Sequence, residues 1–190
     1  MWLCIYLTIL YIIATIKRNL PWGAIGKNLI APGITAFSTM SSAAALPLSI
    51  KAASKNIEDS NMANIVIPST VNIHMIGDAI CIPLIAMLIL TAFGMPAPSL
   101  SQYITFAGLF TITKFSGAGV PGGSIFVMIP VLESALGFSG EMTALITIFY
   151  MLMDPITTTG NVIGNNLFVI HFDALQRTIG IIPELKPENA

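Results

Sequence analysis

The sequence predicts an all-α membrane protein arranged as an inverted repeat, in which each half is a re-entrant helical hairpin followed by a broken transmembrane helix. Three observations carry that prediction. Of the 190 residues, 55% are hydrophobic and only 9% charged, with a mean hydropathy of +0.84, where a soluble domain carries about a quarter charged residues. Basic residues sit on both flanks of one apolar stretch. Two further apolar stretches are interrupted by residues that helices avoid. The formal net charge of −1 leaves no basic face for nucleic acid, and no heptad array or low-complexity tail points to scaffolding. The partner implied by this composition is the lipid bilayer. Cys4 and Cys81 lie in apolar runs without CxxC spacing and read as buried small hydrophobes.

Residues 1–18 read as the end of a transmembrane helix. Trp2 to Ile16 is apolar and then meets Lys17 and Arg18, whereas a signal peptide carries its charges before the apolar run. These residues extend about 22 Å as a helix, short of the roughly 30 Å hydrocarbon core, so the chain is expected to begin partway through a crossing. Residues 19–56 read as the first hairpin. Lys17, Arg18, Lys27, Lys51 and Lys55 flank the apolar stretch from Leu29 to Ile50, and the positive-inside rule puts both flanks in the cytoplasm. A segment that starts and ends on one side must turn inside the membrane; FSTMSSAAALP (Phe37 to Pro47) supplies that turn.

Residues 57–94 contain a second apolar stretch, Ile65 to Phe93, long enough to cross but carrying NIHMIGD (Asn72 to Asp78) in its middle, and so read as a broken helix. FGMPAPSLS (Phe93 to Ser101) has turn residues and no Lys or Arg, which suits an extracellular loop. Residues 95–137 read as the second hairpin. Its arms, Gln102 to Thr113 and Ser124 to Leu136, would extend about 18 and 20 Å, each too short to span. The glycine-rich KFSGAGVPGGSIF (Lys114 to Phe126) joins them. Residues 138–178 hold the last crossing, interrupted where Asp154 precedes Pro155 and ending near Arg177 and Lys186; residues 179–190 are a cytoplasmic tail.

Non-helical backbone is tolerated at membrane depth only where protein or a water-filled cavity satisfies its polar groups. Paired interruptions in inverted halves therefore mark a solute and ion site near the bilayer midplane. Hairpin tips present helix N-terminal amides to anions and loose carbonyls to cations.

In that order and topology the motifs resemble the C-terminal, transport-domain half of the dicarboxylate/amino acid:cation symporter family, the glutamate transporter homologues, over nearly the whole chain from Trp2. STMSSAAALP resembles the serine-rich tip of the first hairpin. HMIGD stands in the place of the family's Asn-Met-Asp-Gly-Thr signature, and GAGVPGG is similar to the second tip. DPITTTGNVIGN (Asp154 to Asn165) falls where the last helix carries most substrate contacts. The departures are specific. Thr158 stands where the family has an acidic residue for a substrate amino group, and Asn161 where it has the arginine or other residue that selects the substrate's side chain. Asn165 matches the family asparagine, whereas Val169 replaces a sodium-binding aspartate; His74, Ile76 and Asp78 replace the signature's asparagine, aspartate and threonine.

The resemblance implies secondary active symport of a small, anionic organic solute of the dicarboxylate or amino acid class, coupled to sodium or protons by an elevator-type transport domain. It implies a solute site at Ser41, Ser42, Val120, Pro121, Gly122, Thr158, Asn161 and Asn165. A cation site of backbone carbonyls is implied at Asn72, Met75 and the second tip (Lys114, Phe115, Gly117); His74 and Asp78, which depart from the family signature, are candidate coupling groups on their own chemistry. Na+ or H+ is then the coupling ion; no organic cofactor, no metal beyond sodium and no enzymatic chemistry are expected. The implied setting is a multi-pass protein of the inner (plasma) membrane with a cytoplasmic C-terminus, forming a homotrimer if the N-terminal scaffold is supplied. Two alternatives stand beside this: a truncated or split-gene fragment without transport of its own, and a passive anion channel.

The polar residues keep more than one reading. An intramembrane acid such as Asp78 is costly and tends to be functional. His74, four residues earlier, would share its face on a regular helix, where the pair could relay a proton, form half a metal site, or simply steady an unwound turn. Lys114 could meet an anionic solute, reach the extracellular interface, or pair with Asp154. Thr158, Asn161 and Asn165 are spaced to share one face, although threonines also bond back to their own helix. His171 reads as an interfacial residue.

Overall fold

The computed structural model describes residues 1–18, 22–117 and 119–179. The described residues are all-helical in eight helices: α1 (Trp2–Arg18), α2 (Trp22–Thr39), α3 (Ser42–Asn56), α4 (Ser60–Thr70), α5 (Ile76–Ala92), α6 (Leu100–Lys114), α7 (Gly123–Leu136) and α8 (Gly140–Thr178). No helix among them is long and apolar enough to cross a membrane. The expected tail from 180 onward lies outside the described residues.

Helix boundaries follow local chemistry. Between α2 and α3, Met40 takes a left-handed φ of 50°, and extended Ser41 then caps α3 by accepting from the Ala44 N–H (3.1 Å). Asp59 caps α4 through the Asn61 N–H. A reciprocal capping box, Ser99 with Gln102, starts α6. Gly137, left-handed at φ 71°, ends α7, and Ser139 caps α8. The arms α2 with α3 and α6 with α7 pack on each other as helical hairpins. Helices α4 and α5 are the two halves of the broken stretch, separated by Val71–Met75.

Residues 140–178, expected to be an interrupted crossing, form one continuous helix of 39 residues with Pro155 inside it. A proline deletes one backbone hydrogen bond but keeps a helical φ, so a helix held on both sides passes through it. Helix α8 is held in this way, packing against α1, α2, α3, α4, α5 and α7.

Two large apolar cores form along α8, with a small third cluster of Ala36, Ala45 and Val162. One joins α5, α6, α7 and the first turns of α8 around Ile82, Phe106, Met128, Leu132 and Ile146. The other joins α1, α2, α3, α4 and the end of α8 around Ile25, Ala53, Ile67, Leu167 and Ile170. Each hairpin thus has its own core. Between the cores lies a layer of buried polar residues that includes Ser41, Ser42, Asp78, Lys114, Ser124, Asp154, Thr158, Asn161 and Asn165. On the outside, large apolar side chains stand exposed all round, among them Ile34, Leu88, Ile112 and Leu152. Cys4, expected to be buried, is exposed, and Cys81 is half-buried. Beyond the apolar region, Arg177 reaches Glu58 (2.6 Å) and Asp173 (3.1 Å), tying the α3–α4 connection to the end of α8. The hydrogen bonds that Arg177 donates to the Asp173 carboxylate raise its pKa above the ordinary value.

Candidate functional site

The site begins with the break between α4 and α5. A helix start leaves N–H groups without partners and a helix end leaves carbonyls without partners, and two asparagines one turn apart on α8 meet both needs. Asn161 Oδ1 accepts from the Gly77 N–H (2.7 Å) and, more weakly, from the Asp78 N–H (3.4 Å). Asn165 accepts from the Thr70 hydroxyl (2.5 Å) and donates to the Ile67 carbonyl (3.3 Å). The approach is close enough to require glycine: a Cβ on Gly77 would run into the Thr157 carbonyl.

At the start of α5 the Asp78 carboxylate is fully buried, with 0% exposure. It accepts from three side chains: Lys114 Nζ (2.6 Å) and Ser124 Oγ (2.6 Å) at Oδ2, and the Tyr150 hydroxyl (2.8 Å) at Oδ1. Lys114 also donates to Ser124 (2.7 Å), and its ammonium lies 5.8 Å from the centre of the Phe110 ring. The expected His74–Asp78 pair does not form. His74 lies in the non-helical turn before α5, so the four-residue spacing is not a helical one, and its ring stacks on Phe168 at 5.1 Å. Lys114 is likewise neither interfacial nor paired with Asp154: it is buried and paired with Asp78.

Asp154 accepts instead from the Gly122 N–H at the start of α7 (2.8 Å) and from the Thr158 hydroxyl (2.7 Å). A carboxylate at a helix N-terminus meets the positive end of the helix dipole. Gly122 can offer its amide there because it sits at φ 70°, a left-handed geometry that glycine adopts freely. Thr157 and Thr159 bond back to carbonyls of α8, the ordinary membrane-helix pattern.

The two tips touch. Ser41 Oγ donates to the Gly119 carbonyl (2.6 Å), which also accepts from the Ala43 N–H (3.2 Å). Under this contact a cavity of about 10 Å³ is lined by Ser42, Asp78, Val120, Asp154, Thr158 and Asn161, with Met75, Ser124 and Tyr150 among the others. That is room for about one water molecule. Val120 and Pro121 are largely exposed, and Asn165 lines a separate small cavity with Ser42 and Asn161. Of the residues expected to hold a cation, Asn72, His74, Met75, Lys114 and Phe115 line a larger cavity of about 300 Å³ beside the tips. Asn72 Oδ1 and His74 Nδ1 are buried without a hydrogen-bond partner. Gly117 is buried, and its N–H takes up the Lys114 carbonyl (3.1 Å). His171 contacts the Leu10 carbonyl through Nε2 (3.1 Å).

Sequence reasoning overlooked Ser124 and Tyr150. Tyr150 stands one helical turn before Asp154 on α8, a polar side chain in an apolar run, and that spacing was its only sequence signal.

Residues 1–175 match the family model of the sodium:dicarboxylate symporter family. Among curated relatives, the chain is 30% identical over 167 residues to the serine/threonine transporter SstT of Acinetobacter baylyi, covering 86% of this chain and 41% of that protein. It is 32% identical over 164 residues to human excitatory amino acid transporter 1, covering 86% of this chain and 29% of that protein. The chain thus spans less than half the length of these relatives.

Proposed function

Because the chain belongs to the sodium:dicarboxylate symporter family, we propose that it is the solute-carrying part of a secondary symporter, in which sodium or protons moving down their gradient drive the uptake of a small anionic organic solute of the dicarboxylate or amino acid class. One observation carries this reading: two helical hairpin tips meet, at Ser41 and Gly119, over a buried polar layer set between two apolar cores. The solute would bind in that layer, between Ser41, Ser42 and Val120 to Gly122 on the tips and Thr158 on α8. Asn161 and Asn165 would hold the broken helix in place beneath it.

With room for one water under the tips, a solute of amino acid or dicarboxylate size enters only when the second tip lifts. Lifting frees the Gly122 amide and its neighbours for a carboxylate, the anion that helix N-termini favour. The second hairpin is therefore the gate, and loaded closure precedes an elevator-type movement of the module. The solute class agrees with that of the relatives, a serine/threonine transporter and an excitatory amino acid transporter. Those relatives are transporters, and the reading is of a carrier, not an enzyme. We place it in the plasma (inner) membrane with its C-terminus cytoplasmic, as a homotrimer when a scaffold is supplied.

Proteoliposomes holding the purified chain test this with labelled serine, aspartate and succinate under sodium, proton or no gradient. Gradient-driven accumulation of at least one of them is expected. Anion current without accumulation would make the chain a channel, and neither accumulation nor current would overturn the proposal.

A further inference from the structure

The oxygens gathered at the Asp78 carboxylate form a set that hard cations use, and two of them, Asp78 Oδ2 and Ser124 Oγ, reach the Lys114 ammonium. Two Asp78 carboxylate oxygens, the Ser124 hydroxyl and the Tyr150 hydroxyl converge at the start of α5, and such oxygen-only surroundings suit ions that bind carboxylate, hydroxyl and carbonyl groups. A carboxylate with no exposure between two apolar cores also requires a positive charge beside it. The lysine ammonium supplies that charge at 2.6 Å from Asp78 and 2.7 Å from Ser124. Lys114 is the last residue of α6, the point where the second hairpin turns into its tip. Asp78 and Tyr150 belong to α5 and α8. The pair therefore fastens the second hairpin to the body of the molecule.

We propose that Lys114 is a tethered counter-cation: its ammonium occupies the seat beside Asp78 that a dissociable ion would otherwise fill, so that the second hairpin closes over this carboxylate without binding sodium there. The reading of that hairpin as a gate rests on the function proposed above; the occupancy of the seat by lysine does not. Coupling then runs through other groups, the backbone carbonyls of Asn72, Met75 and the second tip among them.

Sodium-dependent melting of the purified chain in lipid nanodiscs tests this without any solute, so its outcome is separate from that of the uptake assay. Melting is compared in sodium chloride and choline chloride at equal ionic strength. Any sodium effect on the parent chain should persist in Asp78→Asn. Lys114→Ser leaves the seat open with one more oxygen, and should gain a sodium-dependent rise of about 5 °C over the parent. The gain should vanish in Lys114→Ser/Asp78→Asn. Lys114→Ser that folds in sodium but not in choline is the same result in stronger form. A parent sodium effect lost in Asp78→Asn would overturn the proposal, because Asp78 would then bind sodium with the lysine present. So would a Lys114→Ser chain that gains nothing, or one that fails to fold in both salts, since a free ion then does not stand in for the tethered one.

Discussion

Removing one member of a buried ion pair leaves the other charge without compensation, at a cost of about 3–5 kcal/mol. Asp78→Asn strands the Lys114 ammonium in that way and Lys114→Met strands the carboxylate, so each should lower stability by roughly that amount. The double variant Lys114→Met/Asp78→Asn removes both charges and should recover most of the loss; a double-mutant cycle on denaturant unfolding measures the coupling. Tyr150→Phe deletes a single hydrogen bond to the carboxylate and should cost about 1.5–3 kcal/mol. Additive single and double effects would mean that the pair contributes no mutual stabilisation. The residues of this cluster were individually visible in the sequence as intramembrane polar groups, but their partnership was not. Asp78 and Lys114 are 36 positions apart, and no periodicity links residues on different helices. The nearer candidate, His74, was suggested by a helical spacing that the turn before α5 does not have.

At the scale of elements, the broken helix depends on α8. Asn161 takes the free N–H groups of α5 and Asn165 takes a carbonyl near the end of α4. Asn161→Ala should therefore leave a buried amide unpaired, lower stability by about 1–3 kcal/mol, and speed hydrogen exchange at Gly77 more than at amides elsewhere in α5. Unchanged exchange at Gly77 would show that the amide has another partner. Gly77→Ala forces a methyl group against the Thr157 carbonyl and should cost a similar amount through overpacking. Both hairpins and the break at Val71–Met75 were legible in the sequence because each interruption has its own composition: serines in one tip, glycines and Pro121 in the other, Asn and His in the break. The continuity of α8 was not legible. A proline in the sequence marks a lost hydrogen bond, but whether the helix continues depends on what packs around it.

For the molecule as a whole, the inside-out arrangement is its main physical feature: polar groups occupy the middle layer and large apolar side chains face outward. Exposed apolar surface on this scale marks a surface that meets lipid or protein. Tryptophan introduced as Leu152→Trp, with Trp2 and Trp22 replaced by Phe, should be strongly quenched by brominated lipid acyl chains, and unquenched fluorescence would place that face away from lipid. The composition foretold this surface. The two cores on either side of the polar layer follow from hairpin topology, one hairpin packing into each.

The meeting of the two tips is the claim on which the solute site depends, and a cross-link reads it directly. A Cβ built on Gly119 would lie 3.4 Å from the Ala43 Cβ, close to the roughly 3.5–4.5 Å span of a disulfide. In a chain carrying Cys4→Ala and Cys81→Ala, the pair Ala43→Cys/Gly119→Cys should oxidise readily in membranes, protect both thiols from maleimide, and block uptake until reduced. Two thiols that stay free and label independently under oxidant would mean that the tips do not meet, and the site between them would have no basis.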